Sequence, residues 1–185
     1  MSNFGAEMLL VKQEGSPAAG TRISTTRYIQ YGKISAKFRS SSMPGSVTAF
    51  ITMSEVKDEI DWEILGANPH SAETNVFYRG IPEYSIHGTR VDGPFISSGY
   101  NIFTIDWRPD QIIWSINNRP VRILKKAEST SKMIGPNERW FPTTPSQVQF
   151  SIWDAGNNEW AKGPIKWGNQ NHVSAALEYI DIYCY

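Results

Sequence analysis

Apolar and polar residues alternate in short runs along the chain, and turn residues separate one run from the next. A period of two sends successive side chains to opposite faces of a strand, and no segment sustains a helical period. The pattern predicts strands at residues 7–13, 20–25, 32–39, 47–54, 59–66, 74–78, 101–108, 111–116, 119–125, 147–153 and 176–183. The breaks carry turn chemistry at Gly15-Ser16-Pro17, Met43-Pro44-Gly45, Asn68-Pro69, Asp92-Gly93-Pro94 and Arg108-Pro109-Asp110, and Asn117-Asn118 reads as a hairpin tip. Residues 127–145, with three prolines, and 155–172, rich in Gly, Asn and Trp, read as ordered surface loops. Many short strands of this kind predict an all-β sandwich, with residues 1–185 as a single domain.

Composition narrows the function. Hydrophobic residues make up 40% of 185, enough for one sizeable core. Lys+Arg and Asp+Glu balance at 18 each, so the basic excess that drives nucleic-acid binding is absent. With 7 Trp, the chain has flat rings to spare for a core and for a surface that stacks on sugars. Cys184 is the only cysteine, which rules out a disulfide within the chain. No basic and apolar leader opens this sequence, so no signal peptide is expected in it, and no apolar run reaches the roughly 18 residues of a membrane span. His70, His87 and His172 lack metal-ligand spacing, and no Gly-rich phosphate loop is present, so neither metal nor cofactor is expected.

The chemistry concentrates in Asp58-Glu59-Ile60-Asp61-Trp62-Glu63-Ile64. On a strand, Glu59, Asp61 and Glu63 project from one face while Ile60, Trp62 and Ile64 enter the core. Three like charges in a row repel one another, which raises at least one pKa. Glu59 and Glu63 stand about 13 Å apart at Cα, and side chains leaning toward each other bring the carboxyls to roughly 5–6 Å, near the spacing of retaining glycosidases. A solvated edge strand and a metal site remain alternatives, although no loop of alternating calcium ligands surrounds these acids.

This segment resembles the catalytic strand of glycoside hydrolase family sixteen, and the single residue between Asp61 and Glu63 matches its regular-strand branch. Similarity extends through residues 31–37, 74–80 and 103–107. It is most specific for the fungal Crh type at Phe141-Pro142-Thr143-Thr144-Pro145, Gln149-Phe150-Ser151-Ile152-Trp153 and residues 159–167. The resemblance implies a concanavalin-like β-jelly-roll of two antiparallel sheets with a concave substrate cleft. It also implies Glu59 as nucleophile, Asp61 as its assistant and Glu63 as acid/base. The implied activity is transfer of chitin fragments onto β-glucan by a secreted or cell-wall enzyme, with a lichenase-like endo-β-glucanase and a non-catalytic lectin-like module as alternatives. A polysaccharide is the expected partner, and the protein is expected to be a monomer. Family members usually carry a further N-terminal segment, so a strand is expected to be missing or supplied differently, and Asn101 stands where relatives often place a cleft histidine.

Gln149, Ser151 and Trp153 share a face opposite Val148, Phe150 and Ile152, which suits a wet cleft wall. Trp153 and Trp160 are the expected sugar platforms, with Asn75, Arg79 and Gln149 as polar contacts. Core packing is expected for Trp62, Trp107 and Trp114.

Overall fold

The computed structural model describes residues 5–15, 17–84, 86–93 and 95–185. Parts of two predicted turns, at Ser16 and Pro94, and the opening Met1–Phe4 lie outside them. The strands are β1 (Ala6–Val11), β2 (Thr21–Ser24), β3 (Gly32–Arg39), β4 (Ser46–Ser54), β5 (Glu59–Leu65), β6 (Ser71–Phe77), β7 (Thr89–Asp92), β8 (Asn101–Trp107), β9 (Gln111–Ile116), β10 (Arg119–Lys125), β11 (Ser146–Asp154) and β12 (His172–Cys184). They pair antiparallel in two six-stranded sheets, β1-β12-β3-β8-β9-β10 and β2-β11-β4-β5-β6-β7.

The core lies between the inner faces. Ile60, Trp62 and Ile64 of β5 and Val148, Phe150 and Ile152 of β11 meet Ile34, Ala36 and Phe38 of β3 and Phe103, Ile105 and Trp107 of β8. Phe38 is its hub, stacked on Phe103 at 4.6 Å between centroids and edge-on to Phe150 at 4.6 Å. Four tryptophans are wholly buried, and each indole N–H finds a carbonyl: Trp62 to Thr104 at 3.1 Å, Trp107 to Pro142 at 3.1 Å, Trp114 to Asp61 at 3.0 Å and Trp140 to Val76 at 2.9 Å. Satisfying those donors is what makes so much indole tolerable in a dry interior.

Several expectations need correction. Residues 127–145 run largely over the surface, but not wholly, because Trp140 and Phe141 are 0% exposed and plug one side of the core. The strand β7 falls where the sequence pattern predicts none; it is four residues long, bounded by Gly88 and by Gly93. β12 begins at His172 rather than 176, since its first residues pair with β1. Asn101 belongs to the sheet opposite the cleft: its Nδ2 donates to the Ile96 and Gly99 carbonyls, and its Oδ1 accepts from Asn117. It clasps a loop and has no bearing on the cleft. At the expected hairpin tip, Asn117 and Asn118 both adopt positive φ, 48° and 65°, as a type I′ turn demands.

Candidate active site

β5 is a central strand, flanked by β4 and β6, so the carboxylates do not lie on a solvated edge. Antiparallel register sets Glu59 opposite Met53 and Phe77, Asp61 opposite Ile51 and Asn75, and Glu63 opposite Ala49 and Glu73. The acids thus sit between an apolar strip on β4 and a mixed strip on β6. They open into a cleft of about 620 Å³. Two aromatic pairs wall it. Trp153 and Trp160 stack at 6.5 Å with 29° between planes, and Phe77 meets Tyr84 edge-on at 5.6 Å.

The entrance to β5 is pinned by Asp58, which is fully buried. Its carboxylate accepts from the backbone N–H of Arg79 (3.0 Å), Thr143 (3.0 Å) and Thr144 (3.2 Å) and from the Thr144 hydroxyl (2.8 Å). Behind the strand, the Trp114 indole holds the Asp61 carbonyl, and the Arg122 guanidinium lies 4.6 Å over the Trp114 ring. Arg122 comes from the opposite sheet, and its Nη1 donates to the Thr74 carbonyl (2.8 Å) and hydroxyl (2.7 Å). Its Nη2 donates to the carbonyl of His87. Burial brings the Arg122 pKa down to about 10, and burial followed by the Arg122 charge pushes that of His87 below its ordinary value, keeping the imidazole neutral at neutral pH.

The Trp160 wall is built separately from the main core. Trp153, Ala155 and Trp160 pack on a satellite cluster of Val47, Leu65 and Ala161. The loop is stitched by Gly45 N–H to the Ala161 carbonyl (2.8 Å), Ala155 N–H to the Gly45 carbonyl (3.0 Å) and Trp160 N–H to Asn158 Oδ1 (2.9 Å). A Cβ at Gly163 would come within 1.8 Å of the Gly156 carbonyl oxygen, so only glycine lets the loop close on itself.

Burial is the chief influence on all three acids, and it pushes each pKa upward. Asp61, 2% exposed, is raised well above the usual carboxylate range by burial and then by the charges of Glu59 and Glu63. Its Oδ1 has no hydrogen-bond partner. An unpaired buried anion is costly, so Asp61 keeps its proton and shares a hydrogen bond with Glu59. Glu59 is raised by burial, opposed by that hydrogen bond and by Lys57. Burial, then Glu59 and Glu73, bring Glu63 up to about 7. The environment therefore separates neighbouring carboxyls into one inclined to ionise and one inclined to hold a proton near neutrality.

The cleft gathers Glu59, Asp61, Glu63, Asn75, Trp153 and Trp160. Gln149 shares the face: it pairs with Ile51, which pairs with Asp61, about 9.5 Å away at two strand spacings, outside the cleft lining. Arg79 points elsewhere. Its guanidinium faces Glu138 at 4.0 Å and lies 4.9 Å over the Tyr78 ring. Glu73, Phe77, Tyr84 and Asn158 also line the cleft, and sequence reasoning misses all four. For Glu73 and Phe77 a signal exists: a strand begun at residue 71 rather than 74 puts 73, 75 and 77 on one face. Among the described residues no group of His, Cys, Asp and Glu could hold a metal ion, and no helix is long and apolar enough to cross a membrane.

A β-sandwich whose aromatic-walled cleft holds neighbouring carboxyls of unlike acidity defines a glycan-processing class of enzyme. The chain belongs to glycosyl hydrolases family 16, whose pattern matches residues 3–169. Among curated relatives it is 38% identical to Crh-like protein 2 of Aspergillus fumigatus, over 91% of this chain and 40% of the relative. It is 37% identical to Crh-like protein UTR2 of Candida albicans, over 85% and 33%. This chain therefore spans less than half the length of those relatives. Among solved structures it resembles a Crh5 transglycosylase in complex with NAG, with TM-score 0.83 and 26% identity over 96% of this chain and 72% of that one. A lichenase from a mouse hindgut metagenome shares the fold at TM-score 0.78 and 20% identity, over 96% of this chain and 78% of that one.

Proposed function

We propose that this chain is the catalytic domain of a retaining β-glycan transglycosylase that moves chitin fragments onto β-glucan in a cell wall, acting as a monomer on polysaccharide. The observation that carries the reading is the row Glu59, Asp61, Glu63 on one face of a central strand, with the acidities of Glu59 and Glu63 driven apart. Glu59 attacks the anomeric carbon as Glu63 gives its proton to the departing glycosidic oxygen, leaving a glycosyl ester on Glu59. Glu63, now a carboxylate, takes the proton of an incoming hydroxyl, which displaces Glu59 and restores the configuration. Asp61 donates its hydrogen bond to the Glu59 carboxylate before attack and after release.

Transfer requires a sugar hydroxyl to outcompete water at that ester. Aromatic pairs on both sides of the triplet support this, since each offers a stacking face for a sugar on its side of the scissile bond. The similarity to a Crh5 transglycosylase in complex with NAG supports an N-acetylglucosamine-containing donor.

The test is incubation with chitin oligomers and a fluorescent laminarin oligosaccharide, with products weighed by mass spectrometry. Labelled products carrying added N-acetylglucosamine units are expected. Glu59→Gln should abolish them, and Glu63→Gln should cost at least about a hundredfold. Cleavage of mixed-linkage glucan without labelled product would make the protein a lichenase-like hydrolase. Binding with no turnover would make it a lectin-like module.

A further inference from the structure

Glu73 is the fourth carboxylate of the cleft, and its placement is unusual. It lies directly across from Glu63 in the β5–β6 register. Directly opposed residues of antiparallel strands have Cα atoms about 4.5–5.5 Å apart with side chains on one face, and like charges there destabilise the pair. Nor is Glu73 a solvated surface acid, since its side chain is 16% exposed and lines the cleft. On its other side β7 sets Arg90 directly opposite, and Arg90 Nε donates to Glu73 Oε1 at 2.7 Å. Glu63, Glu73 and Arg90 therefore form one row across three adjacent strands, with signs minus, minus, plus.

We propose that Glu73 is a positioning residue that governs when Glu63 gives up its proton, and that Arg90 moderates it. The inference rests on the reading of Glu63 as the acid of the reaction. Ionised Glu73 makes a second charge on Glu63 unfavourable, so the proton stays on Glu63 to higher pH; Arg90 draws off part of that field through its ion pair. The remaining surroundings of Glu63 are few. β5 supplies Asp61 and Glu59, the β4 neighbour Ala49 is uncharged, and Trp153, Asn158 and Trp160 across the cleft are neutral. Arg122 faces Asp61 from behind the strand, and Glu159 and Lys162 lie on the exterior of their loop, outside the cleft lining. Glu73 is thus the charge nearest Glu63 on β6, and it is held in a direct ion pair with Arg90.

A purely structural ion pair and this arrangement differ in sign. Removing either partner of a structural pair would lower stability or rate alike. Here the two substitutions pull in opposite directions. Glu73→Gln should lower the titration midpoint of Glu63 by about half a pH unit to one, and Arg90→Ala, which leaves Glu73 unmasked, should raise it by a few tenths. The measurement is a carbon-13 NMR titration of glutamate-labelled protein, with the Glu63 resonance assigned by its loss in Glu63→Gln, alongside the alkaline limb of the transfer rate. Thermal unfolding of each variant checks that the fold survives, and Glu73→Asp, which restores the charge, should recover most of the wild-type midpoint. A wild-type Glu63 titrating near an ordinary glutamate overturns the acid assignment itself. A raised wild-type midpoint that does not move down in Glu73→Gln and up in Arg90→Ala leaves the acid assignment standing and overturns the control by Glu73 and Arg90.

Discussion

Asp61 sits at the centre of the site and touches no solvent to speak of, yet one of its oxygens has no partner. A group so placed keeps its proton, and that proton is what it offers to Glu59. Asn at this position can still donate an N–H to Glu59 but can never carry charge. Asp61→Asn should therefore retain the fold, lose at least tenfold in rate, about 1.4 kcal/mol of transition-state stabilisation, and shift the acid limb of the pH profile upward. The shift follows because the hydrogen bond from Asp61 holds the Glu59 pKa down, and an amide donates less strongly to that carboxylate. A pH profile overlaying that of the wild type would remove the assisting role. The alternation of acids with Ile60, Trp62 and Ile64 makes this triplet legible from sequence, because period two is a strand's strongest signature. Glu73 escapes the same logic by one misplaced boundary, since the apolar marker preceding it is only Ala72. Arg79, set in a left-handed turn at φ 52°, escapes for the opposite reason: a turn residue's direction is not written in any period.

At the scale of elements, β5 is held at its start by Asp58 and along its back by Trp114. Four donors converge on the Asp58 carboxylate, three of them backbone N–H groups from segments 21 and more residues away in sequence. Deleting the acceptor leaves those donors buried and unpaired, so Asp58→Ala should lower unfolding free energy by about 3 kcal/mol or more. Urea denaturation measures it, and a loss under about 1 kcal/mol would mean that water or a rearranged loop replaces the carboxylate. The core contact made by the segment carrying Thr143 and Thr144 is hidden in the sequence because three prolines and scattered polar residues mask its two buried aromatics, Trp140 and Phe141. The short β7 is invisible for a related reason. With three of four residues exposed, Thr89–Asp92 carries almost no apolar pattern, and it is a strand because β6 supplies its partner.

For the molecule as a whole, the cleft is a thermodynamic burden. Folding raises the Glu63 pKa from about 4.5 to about 7, so between those values the folded state binds more protons than the unfolded chain. Stability contributed by protonated Glu63 is therefore full below about pH 4 and is lost as pH rises through 7, with a slope of at most roughly 1.4 kcal/mol for each step of one in pH, less whatever solvent screening removes. Glu59 and Asp61 act in the same direction. Glu63→Gln should flatten this dependence and leave the inactive protein more stable than wild type at pH 7.5 but not at pH 4.5. Urea midpoints at the two pH values measure the difference, and parallel curves would place Glu63 in an ordinary aqueous setting. The same cross-sheet construction that holds the cleft also gives it a witness. Trp114 reaches from the opposite sheet to the Asp61 carbonyl and carries the Arg122 guanidinium on its ring, so its indole sits in the electric field of the triplet. With the cleft indoles Trp153 and Trp160 replaced, its emission should shift as protons and glycans come and go on the far side of the strand.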